Sequence, residues 1–399
     1  MVAVSGCGVL PGNTHAYSGR VQGDSAACAQ PSPYNFGSQV RLTDGDFNRL
    51  PTALAIAPDG RIFWTRRDGQ LNVIEDGGSQ VFASVETTTI GERGLVGLAL
   101  SPDFATDHYV YAFYTRKDDL TASRVVRWED CGGTGTHEIT IVDNLPAGVN
   151  SNIHKSGRLA FGPDGDLYVS VGDNLNHVDA QDTSVLSGKI LRFKPDGSVP
   201  PDNPFGPDNP VWAYGFRNVF GMAFNPAGTL GATNNGPNDD FGNTCNSCGD
   251  EFITVVKGGG YQWGNCWGYS NPTILPSPTP TPKKGSKPVV ATPSCGFDAY
   301  LNSPQLEPDY STELVKPRFT APTGVTWVDD QGPPTLRNHF VFCTFSNYGI
   351  GVRPGEMWIF NGRRDAVDTH IEGCTYDVKQ GPDHALYFLD ASTLTRYTG

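Results

Sequence analysis

A tight turn followed by a β-rich run recurs six times along the chain, and this recurrence constrains the fold more than any other feature. Each copy has a small residue and then Pro, four copies continue with Asp and four have Gly in the next place, and the copies begin at Ala57, Ser101, Gly162, Asn225, Ala321 and Gly381. Proline presets φ and glycine supplies φ > 0, as a tight turn requires. The residues that follow are rich in Val, Tyr, Phe and Trp, which are typical of strands. The chain therefore repeats one turn-and-strand unit six times.

Six similar units predict an all-β fold: a six-bladed β-propeller with four-stranded antiparallel blades and long loop insertions. Propeller blades need roughly 40–50 residues, and most copies start about 60 residues apart, so we expect the surplus in loops. A pair of β-sandwiches is the alternative, but six similar units favour radial repetition. We predict one propeller domain over residues 41–399, an N-terminal extension over 1–40 packed on it, and a Pro-rich surface loop over 271–295.

The charge balance excludes some classes of partner. The 399 residues include 42 Asp+Glu against 29 Lys+Arg, a formal net charge of −13. Nucleic acids and anionic membranes bind clustered Lys and Arg, so we expect neither as a partner. No stretch approaches the ~20 continuous apolar residues of a membrane-spanning helix.

Nine cysteines, most of them near turns, predict disulfide bonds and secretion into an oxidising, extracellular compartment. Because the total is odd, at least one thiol has no partner within the chain. The alternative is a zinc site on the C-x-x-C formed by Cys245 and Cys248. A second close Cys/His pair, which such a site needs, is missing.

Two segments carry side chains suited to catalysis. His154 stands just before a strand-like run, in a loop expected at one face of the propeller, where a neutral imidazole can act as a general base. A histidine that only bridges loops is the alternative. Arg217 and Asn218 lie between two apolar segments, so the guanidinium needs an anion or a carboxylate partner. A structural ion pair would satisfy the same need.

A third segment is rich in carboxylates and glycines. It runs through Asn235-Gly236-Pro237-Asn238-Asp239-Asp240 and resumes at Gly249-Asp250-Glu251 and at Lys257-Gly258-Gly259-Gly260-Tyr261. Carboxylates among glycine turns can offer the hard oxygen ligands that Ca²⁺ prefers. No EF-hand spacing is present, and an ordinary acidic loop is the alternative.

Together these segments resemble the soluble quinoprotein sugar dehydrogenases of the glucose/sorbosone dehydrogenase family. The resemblance runs in the family's order through HKSGRLAFGPDGDLYVSVGD, AQDTSVLSGKILRFKPDGSVPPDNP, YGFRN, NNGPN and GDEFITVVKGGGYQWG. It implies a six-bladed propeller that uses pyrroloquinoline quinone (PQQ) and Ca²⁺. The cysteines and insertions are most similar to the PQQ domain of fungal pyranose dehydrogenases, which is often joined to a cytochrome b domain.

The resemblance also implies roles for individual residues. His154 matches the base that takes the proton of the sugar hydroxyl, Arg217 the arginine beside the quinone C5 oxygen, and Asn218 its neighbour at the cofactor. The backbone carbonyls of Gly236 and Pro237 match ligands of the cofactor's Ca²⁺. A second, structural Ca²⁺ is implied near Asp250, Glu251 and Tyr261. The candidates for holding the cofactor's carboxylates are Arg66, Arg93 and Arg353.

The chain departs from the family pattern at two places near the cofactor. Some relatives have His and Gln where this chain has Phe216 and Phe220, so we expect a less polar sugar or cofactor pocket. The insertion with Cys245 and Cys248 separates the two groups of implied Ca²⁺ ligands.

The sequence therefore predicts a PQQ- and Ca²⁺-dependent dehydrogenase that oxidises a pyranose sugar. Its electrons are expected to pass to a one-electron acceptor such as a cytochrome domain or protein. Two other classes stay open. One is the class of Ca²⁺-dependent six-bladed hydrolases such as lactonases, which share the architecture and use no quinone. The other is a propeller that binds a partner and catalyses no reaction.

Overall fold

The computed structural model describes residues 37–75, 78–148, 152–236, 250–261, 263–264, 321–345, 355–360 and 366–399. These residues form six antiparallel sheets, and the sheets are arranged as a six-bladed β-propeller. Five sheets have four strands, and the sixth has three within the described residues. The predicted all-β class and the sixfold repetition are confirmed.

The first three blades follow one another along the chain, each as a simple meander. Blade 1 consists of β2 (Pro51–Ile56), β3 (Ile62–Arg66), β4 (Gln70–Glu75) and β5 (Gly78–Ser84). Blade 2 consists of β6 (Leu95–Leu100), β7 (Tyr109–Thr115), β8 (Ala122–Cys131) and β9 (Thr134–Pro146). Blade 3 consists of β10 (Ser156–Phe161), β11 (Leu167–Val171), β12 (Lys189–Phe193) and β13 (Val211–Tyr214).

The last three blades repeat the meander, and the last one closes the ring. Blade 4 contains β14 (Val219–Phe224), β15 (Leu230–Asn234) and β16 (Glu251–Val255). Blade 5 contains β17 (Pro322–Val328), β18 (His339–Thr344), β19 (Glu356–Phe360) and β20 (Ala366–Glu372). Blade 6 joins the two ends of the described chain, because β1 (Gln39–Arg41) pairs with β23 (Thr393–Tyr397), beside β22 (Leu386–Leu389) and β21 (Val378–Gln380).

Helical structure is sparse in the described residues. One helix, α1, spans Phe104–Asp107, and two 3₁₀ turns span Phe47–Arg49 and His177–Gln181. No helix among the described residues is long and apolar enough to cross a membrane.

The hydrophobic core lies between neighbouring blades. Each of the six blade interfaces holds a cluster of buried apolar side chains in the described part of the chain. Between blades 1 and 2, for example, the rings of Phe63 and Phe104 meet edge to face with centroids 5.8 Å apart. Because every sheet is covered on both faces, inner strands such as β6 are apolar without alternation.

Five of the six turn copies lie in equivalent positions, between the first and second strands of a blade. The copy at Ala321 is different, because Pro322, Thr323 and Gly324 belong to β17, the innermost strand of blade 5. Proline is tolerated there as the first residue of a strand. The turn of blade 5 lies further on, after Val328.

The structure contains the Cys343–Cys374 disulfide in blade 5, which confirms that the chain forms disulfide bonds. Cys131 is also disulfide-bonded. The Pro-rich segment over 271–295 and the C-x-x-C of Cys245 and Cys248 lie outside the described residues. So does nearly all of the predicted extension over 1–40, although Gln39 and Val40 already belong to the sheet of blade 6.

The innermost strands of neighbouring blades approach so closely that glycine is required at the contact. A Cβ atom added to Gly221 would lie 2.0 Å from the carbonyl oxygen of Thr323 in the next blade. The obstacle is backbone, which cannot rotate away as a side chain can. The close approach of β14 and β17 therefore depends on the absence of a side chain.

We expect Gly221→Ala to lower the free energy of unfolding by about 1–3 kcal/mol, since overpacking forces the two strands apart. Gly37→Ala is the control, because a Cβ there has no atom within 4 Å. Urea unfolding of both variants measures the difference. Equal stability of the two variants would contradict this account of the blade contact.

Candidate active site

A central cavity of about 450 Å³ opens at the axis of the propeller, and β-bulges supply part of its lining. In blades 1 to 5 the innermost strand breaks register with its neighbour near its start. A bulge re-aims a side chain that regular pairing would direct elsewhere. The bulged stretches contain five residues that line the cavity: Thr52, Val96, Arg158, Phe220 and Thr323.

Two buried cations, Arg67 and Arg158, line this cavity, and each is 5% exposed. Arg67 donates hydrogen bonds to the carbonyl oxygens of Phe47, Thr89, Gly91 and Arg93. Arg158 crosses the axis to the carbonyl oxygens of Thr52 (2.8 Å) and Tyr376 (3.1 Å). Burial lowers the pKa of both guanidinium groups, although arginine stays charged at neutral pH. Arg158 Nη1 also lies 3.7 Å from the buried carboxylate of Asp377. Arg67 has carbonyl partners instead, and a buried positive charge of this kind favours an anionic ligand.

His154 lies in a strained turn that the loops of Glu92 and Asn218 hold in place. His154 and Ser156 both have positive φ, 60° and 49°. The Glu92 carboxylate accepts hydrogen bonds from the backbone amides of His154 (2.6 Å) and Lys155 (3.2 Å). On the other side, Asn218 Oδ1 accepts from the amide (3.0 Å) and the hydroxyl (2.9 Å) of Ser156. Left-handed conformations cost non-glycine residues energy, so these contacts fix a backbone that would otherwise relax.

The imidazole of His154 is paired with a buried carboxylate. His154 Nδ1 donates to Asp173 Oδ1 at 2.7 Å, and the two side chains are 2% and 1% exposed. This bond selects the tautomer with the proton on Nδ1 and leaves Nε2 as the basic nitrogen. Ile153 and Asn218 line the cavity next to the histidine turn. A histidine oriented by a carboxylate is the arrangement of a general base.

Arg217 lies beside the His154–Asp173 pair, because its neighbour Asn218 bonds to Ser156 in the histidine turn. Its guanidinium donates to the carbonyl oxygen of Asn235 at 3.2 Å and lies over the ring of Trp263, with Cζ 5.4 Å from the centroid. Its own carbonyl oxygen accepts from the amide of Asp173 at 2.8 Å. The structure therefore brings His154, Arg217 and Asn218 together.

The predicted Ca²⁺ ligands lie at the start of β16. Asp250 accepts from the amides of Gly236 (2.7 Å) and Ala321 (2.9 Å), and Glu251 accepts from Asn234 Nδ2 at 2.9 Å. Both carboxylates are only 6% exposed. Carboxylate oxygens are ligands that a hard cation prefers, and here the two oxygens of Asp250 each accept a backbone amide hydrogen bond. Pro237 lies outside the described residues.

Tyr261 is placed differently from a side-chain metal ligand. Its hydroxyl donates to the carbonyl oxygen of Thr254 (2.8 Å) and accepts from the amide of Val256 (3.1 Å). Burial raises the pKa of this phenol. The Tyr261 side chain is thus committed to blade 4, and its carbonyl oxygen already accepts from Gln181 at 2.7 Å.

The three arginines predicted to hold cofactor carboxylates have different surroundings. Arg93 is buried and donates to Asn152, Ala147 and Gly148, in the loop before His154. Arg66 pairs with Asp68 at 2.6 and 2.8 Å, and Arg67 takes its place among the described residues that line the central cavity. Arg353 lies outside the described residues.

The expectation that two phenylalanines make the pocket less polar holds for one of them. Phe220 lines the cavity, and its ring centroid lies 5.0 Å from Arg158 Cζ. Phe216 is fully buried and stacks on Tyr261 with ring centroids 4.7 Å apart, so it belongs to the core between blades 3 and 4.

Sequence reasoning did not single out several residues at this site, and weak signals exist for some. Asp173 is the last residue of the VGD motif, just after the second strand of the blade that His154 precedes. Trp263 ends the YQW motif. Glu92 and Arg67 offered no such signal, because only the folded loops show that they turn towards the axis. Bulges are not visible in the sequence, so Arg158 could not be placed either.

Fold and site define a propeller protein with an acid–base pair beside a central, cation-lined cavity. Residues 48–299 match the model of the glucose/sorbosone dehydrogenase family. The match spans more than half of the chain. The chain belongs to this family.

Two bacterial relatives illustrate the similarity. Quinoprotein glucose dehydrogenase B of Acinetobacter calcoaceticus is 32% identical over 279 residues, which are 61% of this chain and 55% of that protein. An aldose sugar dehydrogenase of Escherichia coli is 32% identical over 226 residues, which are 53% of this chain and 58% of that protein. The chain thus spans little more than half of the length of these curated relatives.

The fold also resembles the holo form of the PQQ domain of a pyranose dehydrogenase from Coprinopsis cinerea. The TM-score is 0.58, and the match covers 92% of this chain and 98% of that domain at 12% identity. At this identity the match supports the fold alone.

Lys155, next to the base, is a buried ammonium group. It is 3% exposed and donates to the carbonyl oxygen of Ala147 (2.5 Å) and to Asn174 Oδ1 (2.8 Å). Burial, together with the neighbouring charge of Arg93, lowers the pKa of Lys155 from 10.5 to about 7. Between these two values the unfolded chain holds a proton that the folded chain has released. Stability should therefore rise with pH across this window.

We expect the free energy of unfolding of Lys155→Met, relative to that of wild type, to be highest at pH 7 and below. This difference should decrease as the pH rises towards 10. The slope is at most about 1.4 kcal/mol per pH unit, the value for one proton. Urea unfolding at several pH values measures it. Lys117→Met is the control, since Lys117 is 63% exposed. A difference between wild type and Lys155→Met that does not change with pH would refute the assignment.

Proposed function

We propose that the protein is a PQQ- and Ca²⁺-dependent dehydrogenase that oxidises a pyranose sugar. The observation that carries this proposal is the buried His154–Asp173 pair beside Arg217. The residues next to them in the chain, Ile153 and Asn218, line the central cavity together with the buried cations Arg67 and Arg158. Membership of the glucose/sorbosone dehydrogenase family supports it.

His154 acts as the base for the sugar hydroxyl. With Nδ1 bonded to Asp173, Nε2 takes the hydroxyl proton as the carbon gives up its hydride. Asp173 keeps the imidazole oriented and stabilises its cationic form once the proton has arrived. Arg217 supplies a buried positive charge near the base, which stabilises negative charge on a bound oxygen.

The described residues fit PQQ, a planar quinone with three carboxylates. When bound, PQQ supplies the two-electron acceptor for the sugar hydride. Arg67 and Arg158 offer buried positive charge to its carboxylates, and Asn218 offers an amide at the cavity wall. Phe220 and Phe345 give the cavity apolar walls suited to a planar ring.

The proposal extends to the partners and the location of the protein. The substrate is a pyranose, and the electrons leave through a one-electron acceptor such as a cytochrome domain or protein. The Cys343–Cys374 disulfide supports secretion, because disulfides persist in oxidising compartments.

Reconstitution tests the proposal as a whole. The protein is mixed with PQQ and Ca²⁺, and its absorbance spectrum is recorded before and after a pyranose such as glucose is added, without any electron acceptor. We expect the sugar to reduce one equivalent of quinone. Binding of PQQ with no sugar-dependent change for any of a panel of pyranoses would contradict the proposal. Hydrolysis of a lactone by the same preparation would favour the hydrolase class instead.

His154→Ala should lower the turnover number ~10²- to 10⁴-fold, since a general base accelerates the reaction by that factor. The affinity for PQQ should change by less than about threefold, because a base acts on the sugar. Stopped-flow reduction of the bound quinone measures the first quantity and fluorescence titration the second. His384→Ala is the control, because His384 is 46% exposed and pairs with Asp329 at a distant turn. Turnover near the wild-type value in His154→Ala would remove His154 from the mechanism.

Removal of Ca²⁺ should prevent assembly of the active protein, because the proposed cofactor site includes Ca²⁺, for which the carbonyl oxygen of Gly236 and the carboxylates of Asp250 and Glu251 are proposed as hard oxygen ligands. After EDTA treatment, added PQQ should restore no sugar oxidation until Ca²⁺ is returned. Isothermal titration of the stripped protein with Ca²⁺ provides a readout that does not depend on activity. Full activity in metal-free protein would be incompatible with this part of the proposal.

A further inference from the structure

The indole of Trp263 donates a hydrogen bond to the carboxylate that orients His154. Trp263 Nε1 donates to Asp173 Oδ2 at 2.6 Å, while Asp173 Oδ1 accepts from His154 Nδ1 at 2.7 Å. The amide of Leu175 donates to the same Oδ1 at 2.9 Å. Both oxygens of the carboxylate are therefore engaged, and its rotation about χ2 is blocked.

The same indole also contacts the arginine of the site. Arg217 Cζ lies 5.4 Å from the centroid of the Trp263 ring, and both residues are 2% exposed. A cation over the face of tryptophan is attracted by the ring, and the attraction is larger when both groups are removed from water. One side chain thus touches the partner of the base through its N–H group and the cation through its ring.

The position of Trp263 is fixed by its backbone, independently of these two contacts. Its amide donates to the carbonyl oxygen of Gly215 at 3.1 Å, and its own carbonyl oxygen accepts from Gln181 Nε2 at 2.5 Å. Gln181 belongs to the 3₁₀ turn that follows Asp173 in the same loop of blade 3. The indole is therefore a rigid support and not a side chain that adapts to its neighbours.

We propose that Trp263 is a positioning residue for the proposed sugar oxidation: its N–H group fixes Asp173, and so the tautomer of His154, while its ring sets the plane of Arg217. The inference rests on the proposed function for its catalytic consequence. Among the described residues, the ionisable groups around the pair are Glu92 and Lys155 at the histidine turn, Arg93 near Lys155, Arg217 on the indole, and His177, whose ring centroid is 6.5 Å from that of Trp263.

Two substitutions separate the two roles. Trp263→Phe deletes the N–H group and keeps an aromatic ring beneath Arg217, whereas Trp263→Leu deletes both. We expect Trp263→Phe to lower kcat by roughly 10- to 100-fold, the effect of a lost hydrogen bond to a charged group, with KM and the Kd of PQQ changed less than about threefold. Trp263→Leu should in addition weaken PQQ binding by roughly 2- to 30-fold, through the loss of the cation–π contact. Trp327→Phe is the control, because Trp327 packs on Phe340 in blade 5.

The tautomer can be measured on the protein without cofactor. In protein labelled with ¹⁵N-histidine, the signals absent from His154→Ala identify His154. Wild type and Trp327→Phe should show one neutral tautomer with the proton on Nδ1, and Trp263→Phe should show shifts averaged between the two tautomers. This measurement does not depend on PQQ or on a sugar, so it separates the inference from the proposed function. If wild type oxidises no sugar but the tautomer responds to Trp263→Phe, the proposed function fails and the positioning contact stands.

A fixed Nδ1–H tautomer in Trp263→Phe, with kcat unchanged, would overturn the inference and make the indole a packing residue. Should both variants fail to fold, the wild-type protein still decides. The Trp263 indole proton, bonded to a buried carboxylate, should exchange with solvent at least 100-fold more slowly than that of an exposed tryptophan. Fast exchange would overturn the inference without any variant.

Discussion

The innermost strands pack so closely around the propeller axis that their contacts determine both the ring and the cavity within it. At Gly97 and Gly221 an added Cβ would lie 2.0 Å from a carbonyl oxygen of the next blade, and at Gly324 2.1 Å from Asp377. Strands that meet so tightly cannot keep regular pairing to their ends, and each of blades 1 to 5 carries a bulge there. The bulges turn side chains such as Arg158 and Phe220 towards the axis. The geometry that closes the ring thus also creates the cavity.

The functional side chains lie on the loops that enter and leave these strands. His154 lies two residues before β10, Arg217 and Asn218 precede β14, and Asp173 follows β11. Each loop alone would leave its polar groups to water. Together they form a network from Glu92 through the histidine turn to Asp173, Trp263 and Arg217, in which most groups are buried and paired. Buried polar groups need such pairing, so the network specifies the site geometry as well as satisfying it.

The sequence was sufficient to predict the fold and three residues that the fold brings together, His154, Arg217 and Asn218, and the failures have physical causes. The turn repeats predicted six blades because a Pro-Asp-Gly turn depends on local geometry alone. The copy at Ala321 was misplaced because Pro322 and Gly324 serve a strand start and a close contact instead of a turn. Arg66 was predicted where its neighbour Arg67 lines the cavity, because consecutive side chains of an extended chain point to opposite faces. Contacts between distant loops, such as that of Trp263 with Asp173, could not be predicted without the folded chain.

Whether the cavity at the axis receives PQQ next to His154 and Arg217 can be decided by a crystal structure of the protein with PQQ and Ca²⁺. We expect the quinone in the central cavity, with a quinone oxygen within hydrogen-bonding distance of Arg217 and the open side of the ring facing His154 Nε2. The carboxylates should lie towards Arg67 or Arg158. PQQ bound elsewhere on the propeller, or with its quinone end directed away from His154, would contradict the account.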